Sequence, residues 1–168
     1  MSTAIYELTT KGKLARDAAK KLARLSTRVK DQALSNIAED IKSREAEILS
    51  ANAKDIQAGR KKGLSEALLD RLLLNTSRLE GMATDVLAVA ALPDPIGETF
   101  EQRIMPNGLQ IGRRRVPLGV IGAIYESRPN ITVDISVLCL KSGNAVIMRG
   151  GSEAIHSNTV LARVVRDS

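Results

Sequence analysis

At 168 residues the chain is long enough to bury one real core, and 43% apolar with 26% charged residues is globular composition, not disordered. No apolar run approaches the roughly 18 to 20 residues of a bilayer span, the start MSTAIYELTTKGK has no signal-like apolar core, and lone Cys139 and His156 are too few for a disulfide framework or a Cys/His metal site. Aromatics at 2% argue against base-stacking platforms, and the net charge of +6 arises before Leu64, with 14 Lys+Arg against 8 Asp+Glu through Gly63 and 11 of each after it.

Residues 13–29 predict a first helix, with Leu14, Ala18, Leu22, Leu25 and Val29 as its apolar stripe and Lys13, Arg16, Lys20, Arg24 and Arg28 outside it. Leu34, Ile37, Ile41, Ile48 and Ile56 mark a second helix that stops at Gly59 or Gly63. A short helix follows Ser65, and another runs from Ser77 to Leu92, closed by Pro93–Asp94–Pro95. Then the pattern changes. TFEQRIM and the run from Leu109 to Arg115 flank the turn Pro106–Asn107–Gly108, which predicts a β-hairpin.

Residues 117–168 read β-α-β-α. Val120, Ile121, Ala123 and Ile124 suggest a strand buried on both faces. Pro129 suits the first turn of a helix that stops at Ser142–Gly143–Asn144. A second buried strand begins at Ala145, and a last helix covers Glu153 to Val165. Short connections imply parallel strands with a right-handed crossover. Two such strands cannot cover their own faces and edges, so more sheet is expected, from the rest of a longer protein or from partner chains.

Ligands of open parallel sheets gather at the carboxyl ends of the strands. Those ends are Glu126–Ser127–Arg128–Pro129–Asn130 and Arg149–Gly150–Gly151–Ser152–Glu153. An arginine that can fork onto phosphate, two glycines that admit close approach, and a helix N-terminus with unused N–H groups describe a phosphate-ester or nucleotide site. An ordinary strand-to-helix turn with Ser152 as its cap is the alternative. G-x-G-x-x-G is absent.

The stretch PLGVIGAIYESRPNITVDISVLCLKSGNAVIMRGGSEAIHSN closely resembles the gamma-glutamyl phosphate reductases (glutamate-5-semialdehyde dehydrogenases) of the aldehyde dehydrogenase superfamily. NAKDIQAGRKKGLSEALLDRLLL resembles their N-terminal region, and the likeness covers essentially the whole chain but only the front of a family member. The resemblance implies an aldehyde-dehydrogenase-like α/β fold: residues 1–95 as a helical segment of the cofactor domain, 96–116 as a β-hairpin, and 117–168 as the first half of a Rossmann-like sheet. It implies NADPH-dependent reduction of L-glutamyl 5-phosphate to glutamate 5-semialdehyde with phosphate release, in the proline pathway of the cytoplasm. It further implies a homo-oligomer in the full-length protein and a functional link to glutamate 5-kinase. Such cofactor domains bind the dinucleotide without G-x-G-x-x-G. Arg149 would stand where many relatives place a lysine near the adenosine ribose, suiting the 2′-phosphate of NADPH, with Gly150, Gly151, Ser152 and Glu153 lining the same end.

Cys139 lies between leucines in a helical run and is expected to be a core residue, not a nucleophile. The family's catalytic cysteine belongs to a domain this sequence lacks, so no catalytic residue is assigned and the chain alone should not turn over. Many superfamily members carry an oxyanion-donating asparagine where Arg128 aligns, with Asn130 two residues later. Arg128 could instead meet a phosphate or carboxylate of the substrate. His156 is read as structural, and Arg113–Arg114–Arg115 as surface or subunit-contact charge. Two rivals remain: a basic helical module binding RNA or an acidic surface through residues 11–30, and a structural fragment that only assembles.

Overall fold

The computed structural model describes residues 3–168. Five helices come first: α1 (Thr3–Leu22), α2 (Thr27–Ser43), α3 (Glu45–Lys61), α4 (Glu66–Leu72) and α5 (Thr76–Ala91). A hairpin of β1 (Thr99–Ile104) and β2 (Gln110–Arg114) follows, then β3 (Val120–Ile124), α6 (Asn130–Lys141), β4 (Ala145–Arg149) and α7 (Ile155–Asp167). A single 3-10 turn, Ser152–Ala154, leads into α7.

The two long helices expected from the apolar stripes are three. The chain leaves the first helix after Leu22, and Ser26 caps α2 by accepting a hydrogen bond from the Val29 N–H. The second breaks at Arg44, whose backbone leaves helical geometry at φ −101° and ψ 20° and whose side chain reaches Glu47 and, on α7, Asp167. The stripe assigned to residues 13–29 is also corrected: Leu14, Ala18, Leu25 and Val29 are exposed. The face of α1 turned inward is Gly12, Ala15, Ala19 and Leu22 instead. Small residues let the helix axis come close to β3 and β4, against which α1 packs. Of the stripe expected for the second helix, Leu34, Ile37, Ile41 and Ile48 are fully buried and Ile56 is half-buried.

One core joins both halves of the chain. Leu34, Ile37 and Ile41 of α2 and Leu79, Met82, Ala83 and Val86 of α5 meet Val133 and Val137 of α6 and Leu161 and Val164 of α7. Cys139 is buried too.

β1 pairs antiparallel with β2 and β3 pairs parallel with β4, as expected. Gly108, at φ 84°, makes the hairpin turn, and Gly143, at φ 69°, ends α6. The expectation of a strand buried on both faces fails for β3. Val120 and Ile124, which share one face, are exposed, the latter at 88%, and among the described residues β4 is the only strand beside β3. Within the hairpin, Arg113 pairs with Glu101 and Arg115 with Glu98. No described helix is long and apolar enough to cross a membrane.

Two buried lysines tie α2 and the end of α5 to α6. Lys30 of α2 sends its ammonium to Asp94 at 2.5 Å and donates to the Lys141 carbonyl at 3.0 Å. Lys141, at the end of α6, reaches Asp31 at 2.6 Å and donates to the Ala90 carbonyl at 2.8 Å. Each ammonium thus meets a carboxylate and the carbonyl end of a helix, which compensates its desolvation.

Candidate functional site

The carboxyl ends of β3 and β4 lie side by side, since Ile124 is in register with Arg149 and the Tyr125 N–H donates to the Arg149 carbonyl. The two loops leaving them are stitched together by side chains. Ser127 donates to Glu153 at 2.5 Å and Ser152 donates to the other Glu153 oxygen at 3.0 Å. These hydroxyls, Ser127 foremost, together with the residue's own backbone N–H hold the Glu153 carboxyl below its ordinary range. Tyr125 and Thr132 share a hydrogen bond of 2.7 Å, and Thr132 donates to Asn158 of α7.

This stitching explains the glycine pair. A Cβ on Gly150 would collide with the Asn158 amide and stand 3.1 Å from the Tyr125 ring. One on Gly151 would collide with the Ser127 hydroxyl and stand 3.0 Å from Glu153. The close approach is made by the protein's own side chains. Gly151→Ala is expected to cost about 1 to 3 kcal/mol by overpacking and to part Ser127 from Glu153; urea unfolding measures the first, and a crystal structure of the variant shows the second.

The N-terminus of α7 departs from the sequence reading. Two of its N–H groups are already taken: Asp55 of α3 accepts from the His156 N–H at 3.1 Å and from the Ser157 N–H and hydroxyl, each at 2.7 Å. A buried carboxylate of the protein therefore occupies the place where an anion would be drawn by the helix dipole. Asn52, one turn earlier, donates to the Leu72 carbonyl at 2.8 Å and to Ser157 at 3.0 Å, and accepts from the Leu74 N–H. His156 is exposed and contributes only its backbone.

Two open cavities flank the β3–α6 loop. One, of about 500 Å³, is lined by Leu64, Leu68, Arg71, Ser127, Arg128 and Glu153, with Gly151 at its edge. The other, of about 490 Å³, is lined by Arg71, Arg128, Asn130, Asp85 and Asp134 over a floor that includes Met82. Both volumes suit small-molecule sites. Arg71 of α4 and Arg128 border both, standing 3.9 and 3.8 Å from the Glu126 carboxylate, beyond hydrogen-bonding distance.

Of the residues singled out from sequence, Arg128 and Asn130 share one cavity, and Arg128, Gly151 and Glu153 share the other. Arg149 stands apart from both, exposed at the end of β4 and without an ion-pair partner among the described residues. Gly150 is packed against Tyr125, and Ser152 is exposed beside Glu153. Sequence reasoning missed Arg71, Asp55 and Asn52. Asn52 and Asp55 were detectable, for with Ile48, Ala51 and Gly59 they complete the buried face of α3 at helical spacing. Cys139 is remote from this chemistry: burial pushes its thiol above the ordinary value, which leaves it a poor nucleophile. No group of three or more His, Cys, Asp or Glu suited to a metal ion occurs among the described residues.

Parallel strands joined through α6, with a helical layer and a separate hairpin, define an aldehyde-dehydrogenase-like fold, incomplete in this chain. A benzaldehyde dehydrogenase of Corynebacterium glutamicum, NAD-dependent by name, superposes on 92% of the chain with a TM-score of 0.68 at 19% identity. Within that fold the chain is homologous along its whole length to the gamma-glutamyl phosphate reductases. The enzyme of that name from Dehalococcoides mccartyi is 56% identical over all 168 residues. The crystal structure of gamma-glutamyl phosphate reductase from Thermotoga maritima covers 96% of the chain with a TM-score of 0.94 at 44% identity. The chain spans about 40% of the length of the curated relatives it matches. No family model matches the sequence.

Proposed function

We propose that the chain is the cofactor-facing front portion of an NADPH-dependent reductase that converts L-glutamyl 5-phosphate to L-glutamate 5-semialdehyde with release of phosphate. Identity of 56% to a gamma-glutamyl phosphate reductase over every residue carries the reading. In this proposal residues 1–95 and 117–168 build one side of the cofactor domain, residues 96–116 form a separate hairpin, and the full-length protein works in the cytoplasm as a homo-oligomer. The nucleophile that takes the acyl group from phosphate comes from elsewhere in the enzyme, since Cys139 is buried with a raised thiol pKa.

The chemistry of the strand ends fits a phosphate ester at one point. Arg149 offers an exposed guanidinium with no protein partner among the described residues, and Ser152 offers an exposed hydroxyl near it in sequence. These two would hold the 2′-phosphate end of the cofactor, which supplies the hydride when bound. Gly150 and Gly151 keep the turn narrow enough for Tyr125 and Ser127 to brace it. Asp55 fixes the start of α7 behind the turn, so Arg149 is presented from a rigid base.

Thermal unfolding with NADPH, with NADH and with neither, at matched ionic strength, tests the reading. NADPH at about a hundred times its Kd is expected to add roughly 2.7 kcal/mol of stability, more than NADH does, and Arg149→Ala is expected to erase the difference. Equal shifts with both cofactors in the unaltered chain would remove Arg149 from the 2′-phosphate.

A further inference from the structure

The cavity beside α5 holds charges that are unmatched among the described residues. Among its lining residues, Arg78 and Asp70 satisfy each other at 2.7 Å, and Arg78 also donates to the Leu73 carbonyl. Four charged groups remain. Among the described residues Arg71 and Arg128 have only the shared, distant Glu126. Asp85 and Asp134 form no ion pair among the described residues, and Asp134 accepts only from Asn130, at 3.0 Å. Two guanidiniums and two carboxylates thus border one space of about 490 Å³ and do not close on each other. A ligand carrying an ammonium and a carboxylate on neighbouring atoms can satisfy both kinds of group at once. A simple anion would meet Asp85 and Asp134 as repulsion.

We infer that this groove reads the α-amino-acid head of the substrate, with Asp134 and Asp85 taking the α-ammonium and Arg71 with Arg128 taking the α-carboxylate. The inference rests on the reductase reading for the identity of the substrate, and it names residues that select an amino acid over other acyl phosphates. Asn130 is a positioning residue here: from the first residue of α6 its amide donates to the Asp134 carboxylate one turn later. Burial, and after it the facing Asp85 carboxylate, push the Asp134 carboxyl up against the hydrogen bond from Asn130. A bound ammonium would act against both by favouring the charged carboxylate. The arginines approach from α4 and from the β3–α6 loop, so the carboxylate end spans two separate elements.

The test titrates the chain with L-glutamate, glutarate and 4-aminobutyrate while backbone amide resonances are followed. Glutarate lacks the α-ammonium, and 4-aminobutyrate lacks the α-carboxylate. Glutamate is expected to shift the resonances of Arg71, Asp85, Arg128 and Asp134, and each analogue to bind at least about tenfold more weakly, as for loss of one charge-assisted contact. Asp134→Asn should abolish the preference over glutarate, and Arg71→Gln the preference over 4-aminobutyrate. Asp85→Asn, at an exposed position, repeats the first comparison if Asp134→Asn fails to fold. Glutarate bound as tightly as glutamate, no shifts in the groove, or a preference untouched by these substitutions would overturn the assignment. The cofactor melts report separately: a glutamate preference without any NADPH effect keeps the groove as an amino-acid site and removes Arg149 and Ser152 as a cofactor site of this chain.

Discussion

Asp55→Ala is expected to cost about 3 to 5 kcal/mol, because it strands two backbone donors and one hydroxyl in a buried position. That is a large share of a domain stability of about 5 to 15 kcal/mol. The mechanism is distinct from loss of packing. α3 and α7 meet through this carboxylate, and an aspartate at a helix N-terminus is favoured by the helix dipole as well as by its hydrogen bonds. Asp55→Asn keeps an acceptor but loses the charge, so it should cost about half as much. Urea unfolding gives the energies, and amide exchange at His156 and Ser157 locates them: both amides should lose protection before those of the α2–α5 core. An Asp55→Ala variant with unchanged stability would mean that water or another side chain serves the freed donors at no net cost.

Lys30→Ala is the second large effect. It removes the ammonium from Asp94 and from the Lys141 carbonyl and leaves a mostly buried carboxylate uncompensated, at a cost of about 3 to 5 kcal/mol. Lys30→Met retains most of the packing volume and isolates the charge. Burial acts to raise the Asp94 carboxyl, but Lys30, the Ile96 N–H and Thr27 outweigh it and hold the group below its ordinary 3.8. A carboxyl lowered by folding is protonated first in the unfolded state. Its contribution is therefore present above pH 3.8 and is lost as the pH falls through the lower, folded value. Unfolding midpoints measured from neutral pH into that range should fall steeply for the unaltered chain. With Lys30→Met only burial and the neutral donors remain, so the acid limb should flatten while stability at neutral pH drops. Parallel curves for the two proteins would remove Lys30 as the cause of the Asp94 shift.

Elements with strong local punctuation were legible in the sequence. The hairpin, the β3–α6–β4 unit and the stop at Gly143 follow from turn residues and apolar runs, and appear within a residue or two of their expected bounds. α1 was misread because two faces, one with Leu14 and Ala18 and one with Gly12, Ala15, Ala19 and Leu22, both fit helical spacing. Only the sheet it lies against selects the face with Gly12, Ala15 and Ala19. Arg44 carries no breaker chemistry, and its role comes from partners on α3 and α7. At the candidate site the strand ends were found correctly, because parallel topology dictates where they lie. Arg71 was not, since its place beside Arg128 depends on how α4 docks, and nothing in seven helical residues announces that. The glycine pair was expected to admit a ligand, whereas the groups that come close to it in the structure are Ser127 and Asn158 of the same chain.

The shared core has a consequence for how the chain is made. Leu34, Ile41 and Val86 emerge from the ribosome long before Leu161 and Val164, which complete their surroundings. The Asp55–Ser157 bond closes a loop of 102 residues, and Lys30 waits for the carbonyl of Lys141, 111 positions later. During synthesis the first five helices can gather into a loose cluster, but their inner faces stay incompletely covered until α7 is out. Contacts so far apart in sequence slow the final docking, and the interval is when the apolar faces of α2 and α5 are most open to chaperones or to misassociation.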